Sequence, residues 1–168
     1  KTSYSYEPLN FSASTSIYNA KKQEFVDSVP ASVLGVYQSN STSDPTYLYD
    51  RPPLRYDSAD PELKILQRSY GPKISVFGKL PKKAIKIPRF DNGTTTPDFI
   101  FKIEHGSKPI YLVIETKAEN MRLGDEEIRI IQQKYFDHLK ESGVYYQMAT
   151  SEQEVHDLIN KLENGELN

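Results

Sequence analysis

The sequence contains no cysteine, and this absence excludes a disulfide framework, a thiolate metal site and a cysteine nucleophile. Tryptophan is also absent, so the 12 tyrosines and 7 phenylalanines supply much of the apolar material. No apolar run approaches the roughly 20 residues that a membrane-spanning helix needs, and the N-terminal residues do not form a signal peptide. The 168 residues predict one compact domain, to which an arm is attached.

Acidic residues are missing from residues 63–90, although the formal net charge of the whole chain is only -2. The charged residues of this stretch are all basic: Lys64, Arg68, Lys73, Lys79, Lys82, Lys83, Lys86 and Arg89. From residue 144 onward acids predominate. A basic stretch beside an acidic tail is compatible with a side that faces an anion, whereas a solvated lysine-rich loop is the alternative interpretation.

Residues 1–50 differ in composition from the remainder of the chain. They are rich in Ser, Thr, Tyr, Asn and Pro, and they contain only short apolar pieces at 25–26 and 33–37 and a predicted loop at 38–45. We interpret residues 1–50 as a linker or docking arm with patchy structure, and residues 51–168 as the folded domain. Because the chain opens on Lys1, we expect it to be a piece of a longer protein.

The remainder of the chain alternates between helical and strand patterns. Asp60 and Pro61 predict the N-cap and the first position of a short helix. The further predicted elements are strands at 74–77, 84–87, 96–103 and 110–114, a helix capped by Asp125 and ended by Gly143, a strand at 144–148, and a helix after Ser151. Short turns join the first strands, and a helix precedes the last one. This order predicts an α/β fold, in which helices flank a mixed β-sheet.

Charged residues appear where the most apolar predicted strand ends. Glu115 and Lys117 follow the apolar run 110–114, and residues two apart on a strand share one face. Asp98 lies near the start of the preceding strand, so an antiparallel hairpin of the two strands would bring it beside Glu115. Such a hairpin predicts a site at the rim of the sheet.

This set of residues has the chemistry that phosphodiester hydrolysis needs. Two carboxylates, with the carbonyl of Thr116 as a further ligand, can hold Mg²⁺, which activates water and neutralises charge on phosphate oxygens. Lys117 would orient the attacking water or stabilise the transition state, either as an ammonium donor or with a lowered pKa. The alternative is a Pro-Asp turn together with a surface ion pair worth ~0–1 kcal/mol.

These motifs resemble those of the PD-(D/E)xK nucleases. The strings VFGKLPKKAIKIP, TTTPDFIF and YLVIETKAEN, and the upstream TYLYDRPPLRYDS, are similar to the C-terminal endonuclease domain of the restriction (Res) subunit of type III restriction-modification enzymes. The resemblance implies a restriction-endonuclease-like fold in α-β-β-β-α-β order, with Asp98 and Glu115 as metal ligands and Lys117 as the catalytic lysine. Ala118 departs from the family, because many members have glycine there, and this puts the path of loop 118–124 in doubt.

The resemblance also implies a cofactor and partners. The cofactor would be Mg²⁺, with Mn²⁺ as a substitute. The partners would be double-stranded DNA, the methyltransferase (Mod) subunit and a helicase-like motor in the same subunit, in the cytoplasm of a prokaryote. ATP would be used by the full-length subunit but not bound here, since the chain has no G-x-x-x-x-G-K-[ST] loop.

Further candidates lie outside the central motif. Glu62 resembles the acidic residue that some nucleases of this class direct at the metal, although the helix dipole also favours an acid in a first turn. Gln132, Gln133 and Lys134 follow the catalytic strand, where related enzymes contact phosphate or position the lysine; a solvated helix face is the alternative. The candidate contacts with the DNA backbone are Lys82, Lys83 and Lys86, since neutralised phosphates supply most non-specific affinity.

Two other functions are compatible with the same residues. The first is a related nuclease from another DNA repair or processing system. The second is a non-cleaving module of the same fold that docks the motor to the methyltransferase subunit. The complete Asp-Glu-x-Lys set argues against the second function, because a module that only binds has no need of it.

Overall fold

The structure is a computed structural model that describes residues 14–29, 33, 56, 58–118 and 123–166, without the side chain of residue 123. Most of the apolar piece 33–37, the predicted loop at 38–45 and residues 119–122 of the loop that follows Ala118 lie outside the described residues. No described helix is both long and apolar enough to cross a bilayer.

The described residues form eight strands and three α-helices. The strands are β1 (Tyr18–Asn19), β2 (Glu24–Phe25), β3 (Ile74–Lys79), β4 (Ile87–Pro88), β5 (Thr94–Thr95), β6 (Phe99–Ile103), β7 (Ile110–Thr116) and β8 (Val144–Ala149). The helices are α1 (Lys64–Gln67), which follows a π-helical turn at Ala59–Leu63, α2 (Leu123–Asp137) and α3 (Glu152–Glu163), and a 3-10 turn covers Lys140–Ser142.

The central sheet has four strands in the order β3-β6-β7-β8. The pairs β3–β6 and β6–β7 are antiparallel, whereas β7 and β8 are parallel and are joined through α2. The predicted mixed sheet of an α/β fold is confirmed, and its helices pack on both faces. The protein has a restriction-endonuclease-like architecture.

The two faces of the sheet cover separate apolar clusters. On the first face, Phe77, Phe99 and Phe101 pack with α1 and α3, and the rings of Phe77 and Phe101 stack at 5.5 Å. On the second face, Val113 and Tyr146 pack with α2. Burial of each such side chain stabilises the fold by roughly 1.5–3 kcal/mol. Alternate residues of β7 therefore point to opposite faces of the sheet. Glu115, at the end of β7, lies on the same face as Val113, which packs with α2.

Two helix starts differ from the predictions. Ser58, not Asp60, caps the first turn, because its side chain accepts a hydrogen bond from the amide of Glu62 at 3.5 Å, while Asp60 has extended φ and ψ of -136° and 121°. Helix α2 begins at residue 123, so Asp125 belongs to its first turn and does not cap it. The helix predicted after Ser151 is confirmed, and the Ser151 hydroxyl caps it by accepting a hydrogen bond from the amide of Glu154 at 3.2 Å.

The predicted strand at 84–87 is wrong for most of its length. The amide of Ala84 donates to the carbonyl of Pro81 at 3.0 Å, and this turn prevents residues 82–86 from forming a ladder. Only Ile87 and Pro88 pair, with Thr95 and Thr94, in a short antiparallel ribbon beside the main sheet. Residues 82–86, which carry Lys82, Lys83 and Lys86, form the basic turn. The β4–β5 ribbon connects this basic turn to Asp98, which immediately precedes β6.

A short hairpin from the N-terminal region contacts the basic turn. Strands β1 and β2 pair antiparallel, and the rings of Tyr18 and Phe25 meet edge to face at 5.3 Å. The amide of Ser16 donates to the carbonyl of Lys83 at 3.2 Å, and the ammonium of Lys86 donates to the carbonyl of Ser14 at 2.5 Å. Residues 14–29 thus pack against the domain.

Candidate active site

The hairpin of β6 and β7 brings Asp98 to Glu115. In the register of this pair, Phe99 lies opposite Ile114, so Asp98 is one residue beyond the last pair and adjacent to Glu115. The amide of Asp98 donates to the carbonyl of Ile114 at 3.0 Å, which fixes the start of the strand. The hairpin predicted from the sequence is confirmed.

Thr116 fixes the side chain of Asp98. The Oδ2 atom of Asp98 accepts from the Thr116 amide at 2.8 Å and from the Thr116 hydroxyl at 2.7 Å. Hydrogen bonds to a charged acceptor are stronger than those between neutral groups. Because both bonds use the same oxygen, the carboxylate is held in one orientation at the rim of the sheet.

Glu115 is a buried carboxylate between two nitrogen donors. Its side chain is only 6% exposed, with Oε1 at 2.6 Å from the ammonium of Lys117 and Oε2 at 3.0 Å from Nε2 of Gln132. Burial and, to a smaller extent, the Asp98 carboxylate raise the pKa of Glu115 to about 7, although Lys117 and Gln132 act in the opposite direction. A divalent cation would relieve this unfavourable juxtaposition of two carboxylates.

Lys117 remains a cation in this environment. Burial alone would lower its pKa, but the Glu115 carboxylate, with Asp98 and Asp125 contributing less, raises the pKa of Lys117 above its ordinary value. Asp125, in the first turn of α2, lies 3.8 Å from the ammonium. This favours the role of an ammonium donor over that of a general base.

Gln132, which was predicted as a DNA-contacting residue, is buried beside Glu115 and is not exposed on the surface of α2. Its side chain is fully buried, and Nε2 donates both to Glu115 and to the hydroxyl of Thr95, the latter at 2.9 Å. It is directed inward because it follows Ile131 and lies four residues before Phe136, both of which are buried on the face of α2 that packs on the sheet. That spacing was visible in the sequence, whereas the contribution of Thr95 was not.

Tyr146 is a further buried polar residue on this face, and no local sequence pattern marks it. Its ring stacks on Phe136 at 5.5 Å, and its hydroxyl is one of the buried polar atoms without a hydrogen-bond partner among the described residues. Burial, with Glu115 and Asp98 contributing less, raises the pKa of Tyr146 well above its usual range. The hydroxyl is therefore protonated throughout the physiological range.

Glu62 does not join this group. It is buried on the first face of the sheet, where its carboxylate forms an ion pair with Lys79. Among the described residues there is no cluster of three or more His, Asp or Glu side chains that could hold a metal, so the prediction of Glu62 as a third acidic ligand has no support in the geometry.

The predicted DNA contacts differ in accessibility. Lys82 and Lys83 are exposed in the turn before β4, and Lys134 is exposed on α2. Lys86 is half-buried and bonded to Ser14. Gln133 points along the surface of α2, where Nε2 donates to Asp137 at 2.7 Å. Lys82, Lys83 and Lys134 are thus accessible to a phosphate backbone.

The donor set fits a hard divalent cation. Asp98 and Glu115 offer carboxylate oxygens. Thr116, which stands between Glu115 and Lys117 in the sequence, offers its backbone carbonyl as a candidate ligand. Mg²⁺ prefers oxygen ligands and keeps several waters, so two carboxylates and one carbonyl are sufficient protein ligands. A softer metal that requires histidine or thiolate ligands does not fit these residues.

The fold and the site together define a restriction-endonuclease-like domain with two carboxylates and a lysine at the rim of a mixed sheet. Residues 45–153 match the model of the family described as an endonuclease domain, and the chain belongs to that family. No solved structure gives a significant match to the chain.

Two relatives belong to type III restriction-modification systems. The chain is 45% identical over 169 residues to the StyLTI Res subunit of Salmonella typhimurium strain LT2, an overlap that covers 98% of the chain and 17% of that protein. It is 32% identical over 115 residues to the EcoPI Res subunit of Escherichia phage P1, across 67% of the chain and 11% of that protein. The chain therefore spans less than a fifth of the length of these relatives.

Proposed function

We propose that this endonuclease domain hydrolyses phosphodiester bonds of double-stranded DNA with Mg²⁺, as the cutting part of a type III restriction subunit. The observation that carries the proposal is the position of the Glu115 carboxylate, which is buried between Lys117 and Gln132 and beside Asp98. Membership of the endonuclease family supports the reaction, and similarity to Res subunits supports the biological setting.

Each residue has a role in the proposed reaction. Asp98 and Glu115 bind the cation, with the Thr116 carbonyl as a further ligand. When bound, Mg²⁺ lowers the pKa of a coordinated water and neutralises charge on the phosphate oxygens. Lys117 orients the attacking water and donates to a phosphoryl oxygen. The water oxygen loses a proton to solvent as it forms the new bond to phosphorus, and the leaving ester oxygen takes up a proton from solvent as its bond to phosphorus breaks.

The remaining components are proposed from the relatives. Lys82, Lys83 and Lys134 contact DNA phosphates, which makes binding strongly dependent on salt. Because the chain covers 17% of the StyLTI Res subunit, we assign ATP use to the helicase-like motor of a longer subunit. The methyltransferase (Mod) subunit would then supply the recognition of a DNA sequence.

The test compares nicking of supercoiled plasmid by the wild type, Asp98→Asn and Lys108→Ala. Asp98→Asn retains the shape of the side chain but removes the charge, so we expect Mn²⁺ affinity to fall at least tenfold and nicking to disappear. Lys108 is exposed in the turn between β6 and β7, and its replacement should change neither quantity. Wild-type protein that neither binds Mn²⁺ nor nicks DNA at low salt would favour the non-cleaving docking module.

A further inference from the structure

We propose that Thr95 and Gln132 are positioning residues that hold the Glu115 carboxylate in its metal-binding orientation and connect it to the β4–β5 ribbon. The proposal rests on the proposed metal-dependent function of Glu115. It extends that function to a residue in another element, since Thr95 lies 37 positions before Gln132 in the sequence.

Gln132 uses one amide group for both contacts. Its Nε2 atom lies 2.9 Å from the hydroxyl oxygen of Thr95 and 3.0 Å from Oε2 of Glu115. A primary amide has two hydrogens, so each contact takes one of them. The orientation of the Gln132 amide is thereby fixed by two acceptors, the Thr95 hydroxyl on β5 and the Glu115 carboxylate on β7.

The direction of this amide is set by the carboxylate. The Oε1 atom of Gln132 is buried and has no hydrogen-bond partner among the described residues. Rotation of the amide by half a turn would place Oε1 against the carboxylate oxygen of Glu115, and two acceptors repel each other. An apolar residue of similar volume would fill the same space without a buried orphan oxygen, so packing alone does not account for a glutamine here.

Thr95 is well placed to anchor Gln132. It pairs with Ile87, which is fully buried in the apolar cluster under α2, so the short ribbon cannot move independently of that cluster. The next residue, Thr96, donates its hydroxyl to the carbonyl of Ile85 at 2.5 Å, which ties the ribbon to the basic turn. The orientation of Glu115 thus depends on the segment that carries Lys82 and Lys83.

The two carboxylate oxygens of Glu115 have different partners. Gln132 contacts Oε2, while Lys117 contacts Oε1. Loss of the Gln132 contact would free the carboxylate to rotate about its last torsion. Partners that orient a metal ligand typically change metal affinity or activity by about 10–100-fold when they are removed. The effect should appear in metal affinity and kcat, because Gln132 is fully buried, Thr95 is half-buried, and both act through Glu115.

The decisive variant is Thr95→Val, which retains the branched shape but removes the acceptor. We expect Mn²⁺ affinity, measured by calorimetry without DNA, to fall about tenfold, with a similar fall in kcat and an unchanged KM for plasmid. Thr95→Ser restores the hydroxyl and should recover both values to within about threefold. Thr94→Val is the matched control, because Thr94 is the exposed neighbour in the same ribbon and should have no effect.

A second pair of variants distinguishes the loss of positioning from misfolding. Gln132→Met should reduce Mn²⁺ affinity as Thr95→Val does, whereas Gln153→Met, at an exposed position on α3, should not. If the melting temperatures match and Thr95→Val or Gln132→Met binds Mn²⁺ as the wild type does, the positioning role is overturned while the proposed function stands. If the wild type itself binds no Mn²⁺, the proposed function fails, and the positioning role fails with it.

Discussion

Two lysine–glutamate pairs are buried on opposite faces of the same sheet. Glu62 and Lys79 pair on the first face, with side chains 7% and 12% exposed. Glu115 and Lys117 pair at the rim, on the side that packs against α2, with side chains 6% and 19% exposed. Burial and charge type are therefore nearly the same, and neither property distinguishes a structural pair from a catalytic one.

The surroundings of the two pairs differ. The ammonium of Lys79 lies 5.6 Å from the centroid of the Phe99 ring. The Glu115 pair lies beside a second carboxylate, Asp98, which is close enough to help raise the pKa of Glu115 to about 7. Two like charges beside one cation make a site that a further cation would stabilise. We infer that the neighbours of an ion pair decide its role.

The largest expected effect is the loss of catalysis when the rim pair is broken. Lys117→Met removes the ammonium but retains the chain length, so we expect nicking to fall about 10²- to 10³-fold. The unfolding midpoint should change little, because Lys117 is partly exposed and Glu115 can take up a proton near neutral pH. Plasmid nicking and urea unfolding on the same preparation measure both. Equal nicking by variant and wild type would remove Lys117 from the mechanism.

The opposite result is expected for the first-face pair. Lys79→Met removes the cation that pairs with the buried Glu62 carboxylate, and breaking such a pair costs about 3 kcal/mol of unfolding free energy. Lys73→Met is the control, since Lys73 is exposed and its ion pair with Glu163 at 3.2 Å should contribute less than about 1 kcal/mol. If Lys79→Met kept wild-type stability but lost nicking, the Glu62–Lys79 pair would have a catalytic role, as is proposed for Glu115 and Lys117.

The pH dependence of stability separates the pairs further. The pKa of Glu115 in the folded protein is about 7, above its unfolded value, so the folded state binds more protons. Stability should therefore decrease as the pH rises from about 4.5 to 7. Glu115→Gln removes this decrease and should be more stable than the wild type at pH 8, on the order of 2 kcal/mol, but equal to it at pH 5. Urea unfolding at the two pH values checks the difference, and equal stability at pH 8 would contradict it.

The sequence was sufficient to predict that Asp98, Glu115 and Lys117 lie together, but not to predict the residues that position them. Strand alternation put Glu115 and Lys117 on one face, and the hairpin of two adjacent strands brought Asp98 beside them. Such local rules act over a few residues. Gln132 and Thr95 meet only because α2 and the β4–β5 ribbon pack on the same face, a tertiary contact that no local pattern encodes.

The face that Glu62 occupies could not be predicted either. Its short helix begins with a π-helical turn capped by Ser58, which sets the direction of the side chain. The sequence pattern predicted a regular helix capped by Asp60 instead. The observed cap lies two residues before the predicted one, and in the observed arrangement Glu62 pairs with Lys79.

The smallest expected effect concerns Tyr146, which shares the second face with Glu115 but has no hydrogen-bond partner for its hydroxyl among the described residues. A buried hydroxyl without a partner costs free energy, so Tyr146→Phe should leave unfolding free energy unchanged or raise it by up to about 1 kcal/mol. Nicking and Mn²⁺ affinity should remain at wild-type values, because the ring that stacks on Phe136 is retained. A tenfold loss of Mn²⁺ affinity in Tyr146→Phe would show instead that the positioning set around Glu115 extends to β8.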